Sequence, residues 1–209
     1  MYDLSTYDEE FYALVRREGL AMAPWFVPLL KRIFDFTSII DVGCGQGHYL
    51  LELLRQNAES PSSRPIQVCG LEGSPWACQN SLVPGFVHQH DLRVPLQDYW
   101  RGTRFDLAIS IEVAEHIEAE FADIYVGTLC DLSNVVLITS ATPGQGGHWH
   151  VNERLPIYWI LKFNERGFIL DEGRTDQIKS GIRTARGGGQ YVTAWFEPNV
   201  AVFRKQSAL

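Results

Sequence analysis

The stretch "ISIEVAEHIEAE", Ile109 to Glu120, passes from an apolar run into a charged one and sets Glu112, Glu115 and His116 at the change-over. Positions 112 and 115, and 112 and 116, have the spacings that share one face of a helical turn. Two carboxylates and an imidazole make a partial shell for Mg²⁺, Mn²⁺, Zn²⁺ or Fe²⁺. The same groups can instead handle protons, since an imidazole titrates near neutrality. A third reading is structural, because a glutamate in a first helical turn favours the macrodipole. A further ligand or base has to come from elsewhere. The glycine-rich "TPGQGGHWHVNE" offers His148, His150 and Asn152. Only one of His148 and His150 is expected to point inward; His150 is favoured and His148 is the alternative.

A second group able to do chemistry is "DVGCGQGHYL". Gly43, Gly45 and Gly47, with Cys44 between them, follow Asp41 at the end of a short apolar run. Glycines there allow a tight turn and a close approach of backbone to ligand. The dinucleotide fingerprint G-x-G-x-x-G would need glycine at position 48, which is His48. Glu72 and Gly73 end a second apolar run, and a carboxylate there can accept hydrogen bonds from both hydroxyls of a ribose. Asp91 in "HQHDL" can accept from the exocyclic amine of adenine while Leu92 covers the ring. Each has a structural alternative: a plain turn at the glycines and at Asp91, and a helix cap at Glu72.

These residues need elements to position them. Two helices are expected first, "DEEFYALVRREG" stopping at Gly19 and "APWFVPLLKRIF" with Pro24 near its first turn. Then strand-like runs alternate with helical ones: "SIIDVG", "HYLLELLRQNA", "IQVCGLE", "SPWACQNSL", "GFVHQHD", "RFDLAISI", "EAEFADIYVGTLCDL", "NVVLITSA", "ERLPIYWILKFNERG", "FILDE" and "AVFRK". That alternation predicts an α/β fold with a mostly parallel sheet covered on both faces. In such sheets ligands bind beyond the carboxyl ends of the strands, where every polar group named above falls. "AESPSSRP" reads as a surface loop inside one domain, and the basic "KSGIRTARGGGQ" as a mobile or solvated loop able to grip an anion through Arg183 or Arg186.

The bulk numbers bound the function. A chain of 209 residues, 45% hydrophobic and 21% charged, suits one globular domain. No apolar run approaches the roughly 20 residues that span a membrane. The acidic amphipathic start lacks the basic and apolar regions of a signal peptide. Four cysteines without a C-x-x-C pair suggest reduced thiols in the cytoplasm. A net charge of −7 argues against a large nucleic-acid footprint. The oligomeric state is open at this point.

The order and spacing of the glycine loop, Glu72, Asp91 and Asp106 resemble a class I S-adenosylmethionine-dependent methyltransferase, over residues 37–140 above all. The resemblance implies a Rossmann-like seven-stranded sheet, helices on both faces, a last strand that runs antiparallel, and extra N-terminal helices. It implies one domain, with residues 1–36 as a helical lid carrying Tyr7, Tyr12 and Trp25, and residues 37–209 as the cofactor-binding and catalytic core. It implies S-adenosyl-L-methionine as cofactor. Asp41 and the loop Gly43, Cys44, Gly45 and Gly47 would hold its amino-acid end. Glu72 and Gly73 would hold the ribose, Asp91 and Leu92 the adenine, and Ile111 would border the sulfonium.

The pattern E-x-x-E-H with a later histidine is similar to two further groups: the terminal 2′-O-methyltransferases of small RNAs and the ubiquinone-pathway O-methyltransferases. That likeness implies a divalent metal (Mg, Mn, Zn or Fe) on Glu112, Glu115, His116 and His150, or His148 in its place. Glu112, His116 and His150 would then be the catalytic residues, and Trp149, Asn152 and Trp159 would face the substrate; the aromatics read equally well as core. The expected activity is O-methylation of a small-molecule hydroxyl on a natural product, quinone or sugar. The alternatives are metal-free O- or N-methylation with His116 or His150 as base, methylation of an RNA ribose, and cofactor binding without catalysis.

Overall fold

Asp8 opens the first helix: its carboxylate accepts the N–H groups of Glu10 and Phe11, two of the donors a helix start leaves unpaired. The computed structural model describes residue 4 and residues 7–59 and 65–206. Most of "AESPSSRP" and of the first six residues therefore lies outside the described residues. Helix α1 (Glu9–Ile33) is one helix, where two were expected. Gly19 does not stop it. A Cβ at Gly19 would lie 2.7 Å from the His48 ring, so this glycine marks a close crossing of helices and not a cap. Pro24 and Pro28 sit inside the helix without ending it, because Met22, Phe26, Val27, Leu29 and Leu30 bury one continuous face. Tertiary burial of that face outweighs the lost backbone bonds.

The strands are β1 (Ser38–Val42), β2 (Gln67–Glu72), β3 (Val87–Gln89), β4 (Leu107–Ser110), β5 (Val135–Thr139), β6 (Phe168–Leu170) and β7 (Val200–Lys205). They form one sheet in the order β3-β2-β1-β4-β5-β7-β6. All neighbours are parallel except β7, which runs antiparallel to both β5 and β6. This is the seven-stranded Rossmann-like architecture expected. The remaining helices are α2 (His48–Glu59), α3 (Pro75–Gln79), α4 (Ala122–Leu132), α5 (Pro156–Asn164), α6 (Glu172–Gly187) and α7 (Phe196–Asn199).

Strand alternation divides the core in two. Ile39, Leu107, Ile109 and Leu137 face α1 and α6, where they meet Phe26, Leu30, Ile178 and Ile182. Ile40, Val42, Ala108, Val136 and Ile138 face the other way, onto Tyr125 and Leu129 of α4 and Trp159 and Phe163 of α5. Strand β1 pairs with β2 on one side and β4 on the other, so successive connections leave it in opposite directions. The gap at that reversal, beyond the carboxyl ends of β1 and β4, is where open α/β sheets hold ligands.

Two local expectations are corrected. "KSGIRTARGGGQ" is for the most part the second half of α6, anchored by buried Ile178 and Ile182. Arg183 and Arg186 are not poised for an anion, since Glu197 accepts from them at 2.7 and 2.8 Å. The helix expected from Glu118 begins at Ala122, after two separate 3-10 turns, Ala114–His116 and Ala119–Phe121. All four cysteines are free. Among the described residues no helix is long and apolar enough to cross a membrane.

Candidate functional site

A cavity of about 380 Å³ lies at the β1/β4 reversal. It is walled by the glycine loop, the ends of β2 and β4, the first half of α1, and the 145–150 loop. Its two ends differ chemically.

At one end the chain leaves β1 through Gly43, Gly45 and Gly47, all at positive φ. Gly43 (φ 78°) is the most constrained: a Cβ there would sit 2.5 Å from Val113. The Gly43 and Cys44 N–H groups donate to the Leu71 carbonyl at 2.8 and 3.0 Å, locking the loop to β2. Gly47 shapes the turn and does not line the cavity, whereas Asp41, Gly43, Cys44, Gly45, Glu72, Gly73, Asp91, Leu92 and Ile111 do. Asp41 is 2% exposed, and its Oδ2 has no hydrogen-bond partner among the described residues. Burial, then the nearby Glu72 carboxylate, raise its pKa to about 8. Glu72 accepts N–H groups of Gly45 and Ser74 at 2.7 Å each, and the Tyr12 hydroxyl at 3.3 Å. Burial still pushes the Glu72 carboxyl above its ordinary value. Asp91 is gripped by its own neighbour: Arg93 Nε and Nη2 both donate to it at 2.9 Å. Partial burial opposes ionisation of Asp91, but the Arg93 hydrogen bonds hold its pKa below the usual value.

Helix α1 covers this end. Tyr12 stacks on Trp76 with centroids 5.4 Å apart, and the Ser74 hydroxyl donates to the Tyr7 carbonyl at 3.0 Å. Tyr7 and Tyr12 line the cavity; Trp25 does not, and its indole N–H donates to the Tyr191 carbonyl instead. His48 also lines the cavity, and its Nε2 has no hydrogen-bond partner among the described residues. Burial, then Arg16, lower its pKa to about 4. Sequence reasoning treated His48 only as a departure from a glycine fingerprint.

At the other end Glu112 leaves β4 with φ 54°, an uncommon conformation for a side-chain-bearing residue. Its N–H donates to Thr139 Oγ1 at 2.7 Å, which holds the bend. The chain then makes a 3-10 turn, so Glu112, Glu115 and His116 do not share an α-helical face as expected. Glu112 and His116 look into the cavity; Glu115 lies behind the wall, fully buried. Neither Glu115 oxygen has a hydrogen-bond partner among the described residues, nor does Glu112 Oε1. Burial raises the pKa of both, and for Glu115 the neighbouring Glu112 raises it further. His116 is held at about 4 by burial first and then by His150. Its Nδ1 lies 3.3 Å from both the Tyr7 hydroxyl and the Trp149 carbonyl.

Glu115, His116 and His150 each offer a ligand atom within 4.8 Å of the others. Glu112 and His148 fall outside that group, although both line the cavity. The loop is tied to the turn by the N–H groups of Val151 and Asn152, which donate to the Glu115 carbonyl at 2.9 and 3.0 Å.

The three expected substrate residues are not on the cavity wall. Trp159 is 1% exposed and packs against Tyr125, because α5 turns positions 159 and 163 to the sheet. Asn152 is buried with its Oδ1 taking the Arg154 guanidinium at 2.7 Å. Trp149 (φ 63°) is exposed and lies off the lining. Gln145, Gly146, Gly147, Thr193, Trp195 and Phe196 line this end instead. The residue most clearly missed is Glu153, whose Oε1 lies 3.0 Å from His150 Nδ1. Its signal was a carboxylate three positions after a histidine in a glycine-rich loop.

The family profile described as a methyltransferase domain matches residues 13–169. No curated protein sequence matches the chain. Magnesium protoporphyrin IX methyltransferase (ChlM) from Synechocystis PCC 6803, solved with bound SAH, is 12% identical over 96% of each chain, with a TM-score of 0.63. The sugar N-methyltransferase KedS8 from Streptoalloteichus sp ATCC 53650 is 14% identical over 95% of this chain and 92% of its own, at TM-score 0.62. CalO1, a methyltransferase in calicheamicin biosynthesis solved with SAH, is 16% identical over 94% of this chain, at TM-score 0.59; this chain spans 56% of its length. At these identities the likeness is one of fold.

Proposed function

We propose that this chain, which belongs to the methyltransferase domain family, transfers a methyl group from S-adenosyl-L-methionine to a hydroxyl of a small molecule, with a divalent metal beside the acceptor. The observation that carries the reading is a single cavity with buried Asp41 and Glu72 at one end and Glu112, His116 and His150 at the other. Asp41 would pair with the cofactor's ammonium, Glu72 with its ribose, and Asp91 with Leu92 would meet the adenine. Ile111 stands between the two ends, where the sulfonium would lie. The SAH named with ChlM and CalO1 supports the cofactor, and the porphyrin, sugar and calicheamicin chemistry named with the three structures supports a small acceptor.

The donor set fits a divalent cation. Glu115 is a buried carboxyl with both oxygens unpartnered among the described residues, and His116 is neutral through the physiological range, the form that ligates. A mixed oxygen and nitrogen set of this kind suits Zn²⁺, Mn²⁺ or Fe²⁺ better than Mg²⁺. When bound, such an ion would supply acidity to an acceptor hydroxyl. The chain's own contribution is orientation and exclusion of water: Tyr7 and Phe11 close over His116, and the 145–150 loop walls the opposite side.

The test is elemental analysis of purified protein, with turnover measured on paired hydroxyl and amine acceptors with and without chelator. About one equivalent of metal, and activity on hydroxyls lost to chelator and restored by metal, is expected. Glu112→Ala and His150→Ala should both lose turnover. Undiminished hydroxyl methylation in metal-free protein sinks the metal assignment, and turnover confined to amines sinks the O-methylation assignment.

A further inference from the structure

We infer that Glu153 is a positioning residue: it fixes the tautomer of His150 and latches the 144–150 loop across the acceptor end of the cavity. One carboxylate serves three partners. Its Oε1 lies 3.0 Å from His150 Nδ1 and accepts the Gly146 N–H at 2.7 Å. Its Oε2 accepts the Gly144 N–H at 2.7 Å. Both oxygens therefore act as acceptors toward backbone amides, which is the arrangement of an ionised carboxylate. An acceptor facing Nδ1 requires the proton on Nδ1. In the neutral ring this leaves Nε2 as the nitrogen with a lone pair to offer.

The loop is built to let the ring take that pose. A Cβ at Gly147 would lie 2.3 Å from His150 Nε2, so only glycine lets the imidazole lie against the backbone there. The His150 and Glu153 side chains are 12% and 19% exposed, so the contact is largely shielded from water. His150 then meets His116 edge to face, with centroids 5.1 Å apart. The inference rests on the reading above only in taking His150 as an acceptor-side group. It holds whether Nε2 ligates a cation or takes a proton, since both need the same tautomer.

The experiment is long-range ¹H–¹⁵N correlation of the histidine imidazoles in the ¹⁵N-labelled full chain without metal, with His150→Gln to assign the signal. Wild-type protein should show His150 protonated at Nδ1. Glu153→Ala should lose that pattern and drop kcat by about 10- to 100-fold, while its Kd for S-adenosylmethionine stays within about twofold. Glu153→Gln, which keeps an acceptor oxygen but not the charge, should fall between them. Wild-type His150 protonated at Nε2 overturns the inference, even if no variant folds. So does a Glu153→Ala protein with unchanged tautomer and kcat. Because the tautomer is read without turnover, failure to find a hydroxyl acceptor leaves this result intact.

Discussion

Asp41→Asn should stabilise the ligand-free protein at alkaline pH while weakening its hold on the cofactor. Asp41 sits at the end of β1, 2% exposed, with Oδ2 unpartnered among the described residues. Burial and Glu72 raise its pKa from 3.8 to about 8. Between those values the folded protein keeps a proton that the unfolded chain has released. The state that binds more protons loses ground as pH rises, so the native state is penalised increasingly from about pH 4, and in full above about pH 8. A shift of roughly four pH units at ~1.4 kcal/mol each caps that penalty on the order of 5 kcal/mol. Asparagine removes the charge but leaves a buried amide short of partners, a cost of about 1–3 kcal/mol. The net gain at pH 8.5 is then about 2–4 kcal/mol, which for a domain of this size raises Tm by roughly 4–15 °C. At pH 5 both side chains are neutral and the gain vanishes or reverses. Scanning calorimetry of both proteins at pH 5, 7 and 8.5 reads the difference directly. Titration calorimetry should show cofactor affinity reduced by about 10- to 100-fold, as expected for loss of one charged hydrogen bond. Parallel stability curves for the two proteins across this pH range would refute the assignment of Asp41 as a buried, strained acid.

Tyr12→Phe should bind S-adenosylmethionine more tightly than wild type, by about 2- to 10-fold. A carboxylate has about four acceptor positions, and on Glu72 Gly45, Ser74 and Tyr12 use three while the Gly73 N–H bears on the fourth. Two ribose hydroxyls need two, so Tyr12, the longest of the three contacts at 3.3 Å, must give way. Loss of that hydroxyl removes a competitor worth about 1 kcal/mol. Weaker binding on titration calorimetry would mean that Tyr12 holds the cofactor and does not compete with it. Trp159→Ala should cost about 3–5 kcal/mol of stability by denaturant unfolding. Its acceptor KM, corrected for folded fraction, should not move; a raised KM would return Trp159 to the substrate wall.

The sheet was legible because its signals are local. Each strand is an apolar run of strand length between turn residues, and alternation such as Ile39/Ile40 supplies both faces of the core at once. That Gly43, Gly45, Glu72 and Asp91 meet around one cavity was legible for the same reason: residues at strand ends inherit the order of the strands. Helix boundaries were not. Gly19 carries a strong local stop signal, yet the residue that decides its role, His48, lies in another helix. Trp159 misled in the same way. An aromatic near a strand end suits a pocket or a core equally, and only the rotation of α5 about its axis, set by Phe163 packing on Phe203, chooses the core.

The acceptor end shows what spacing alone cannot supply. E-x-x-E-H suggests three groups on one helical face, and the spacing holds only if the backbone is an α-helix. Here Glu112 takes a left-handed bend and the next turn is 3-10, so Glu112 falls outside the group that Glu115 and His116 form with His150, although its carboxyl stays near enough to raise the pKa of Glu115. The bend persists because Thr139, at the end of the neighbouring strand, accepts the Glu112 N–H. The loop returns because the Glu115 carbonyl accepts from Val151 and Asn152. That second link carries His150 into the group with Glu115 and His116, while His148 lines the cavity outside it. With 151 and 152 pinned to Glu115, His150 is the residue delivered to His116, and Glu153 is left facing back toward the glycine amides. Glu115 thus places the loop through its backbone while its carboxyl stays buried, without a hydrogen-bond partner among the described residues. A buried carboxyl in that state costs several kcal/mol unless a proton or a cation relieves it. Glu115 offers an oxygen within 4.8 Å of the ligand atoms of His116 and His150, so elemental analysis of the purified protein distinguishes relief by a cation from relief by a proton.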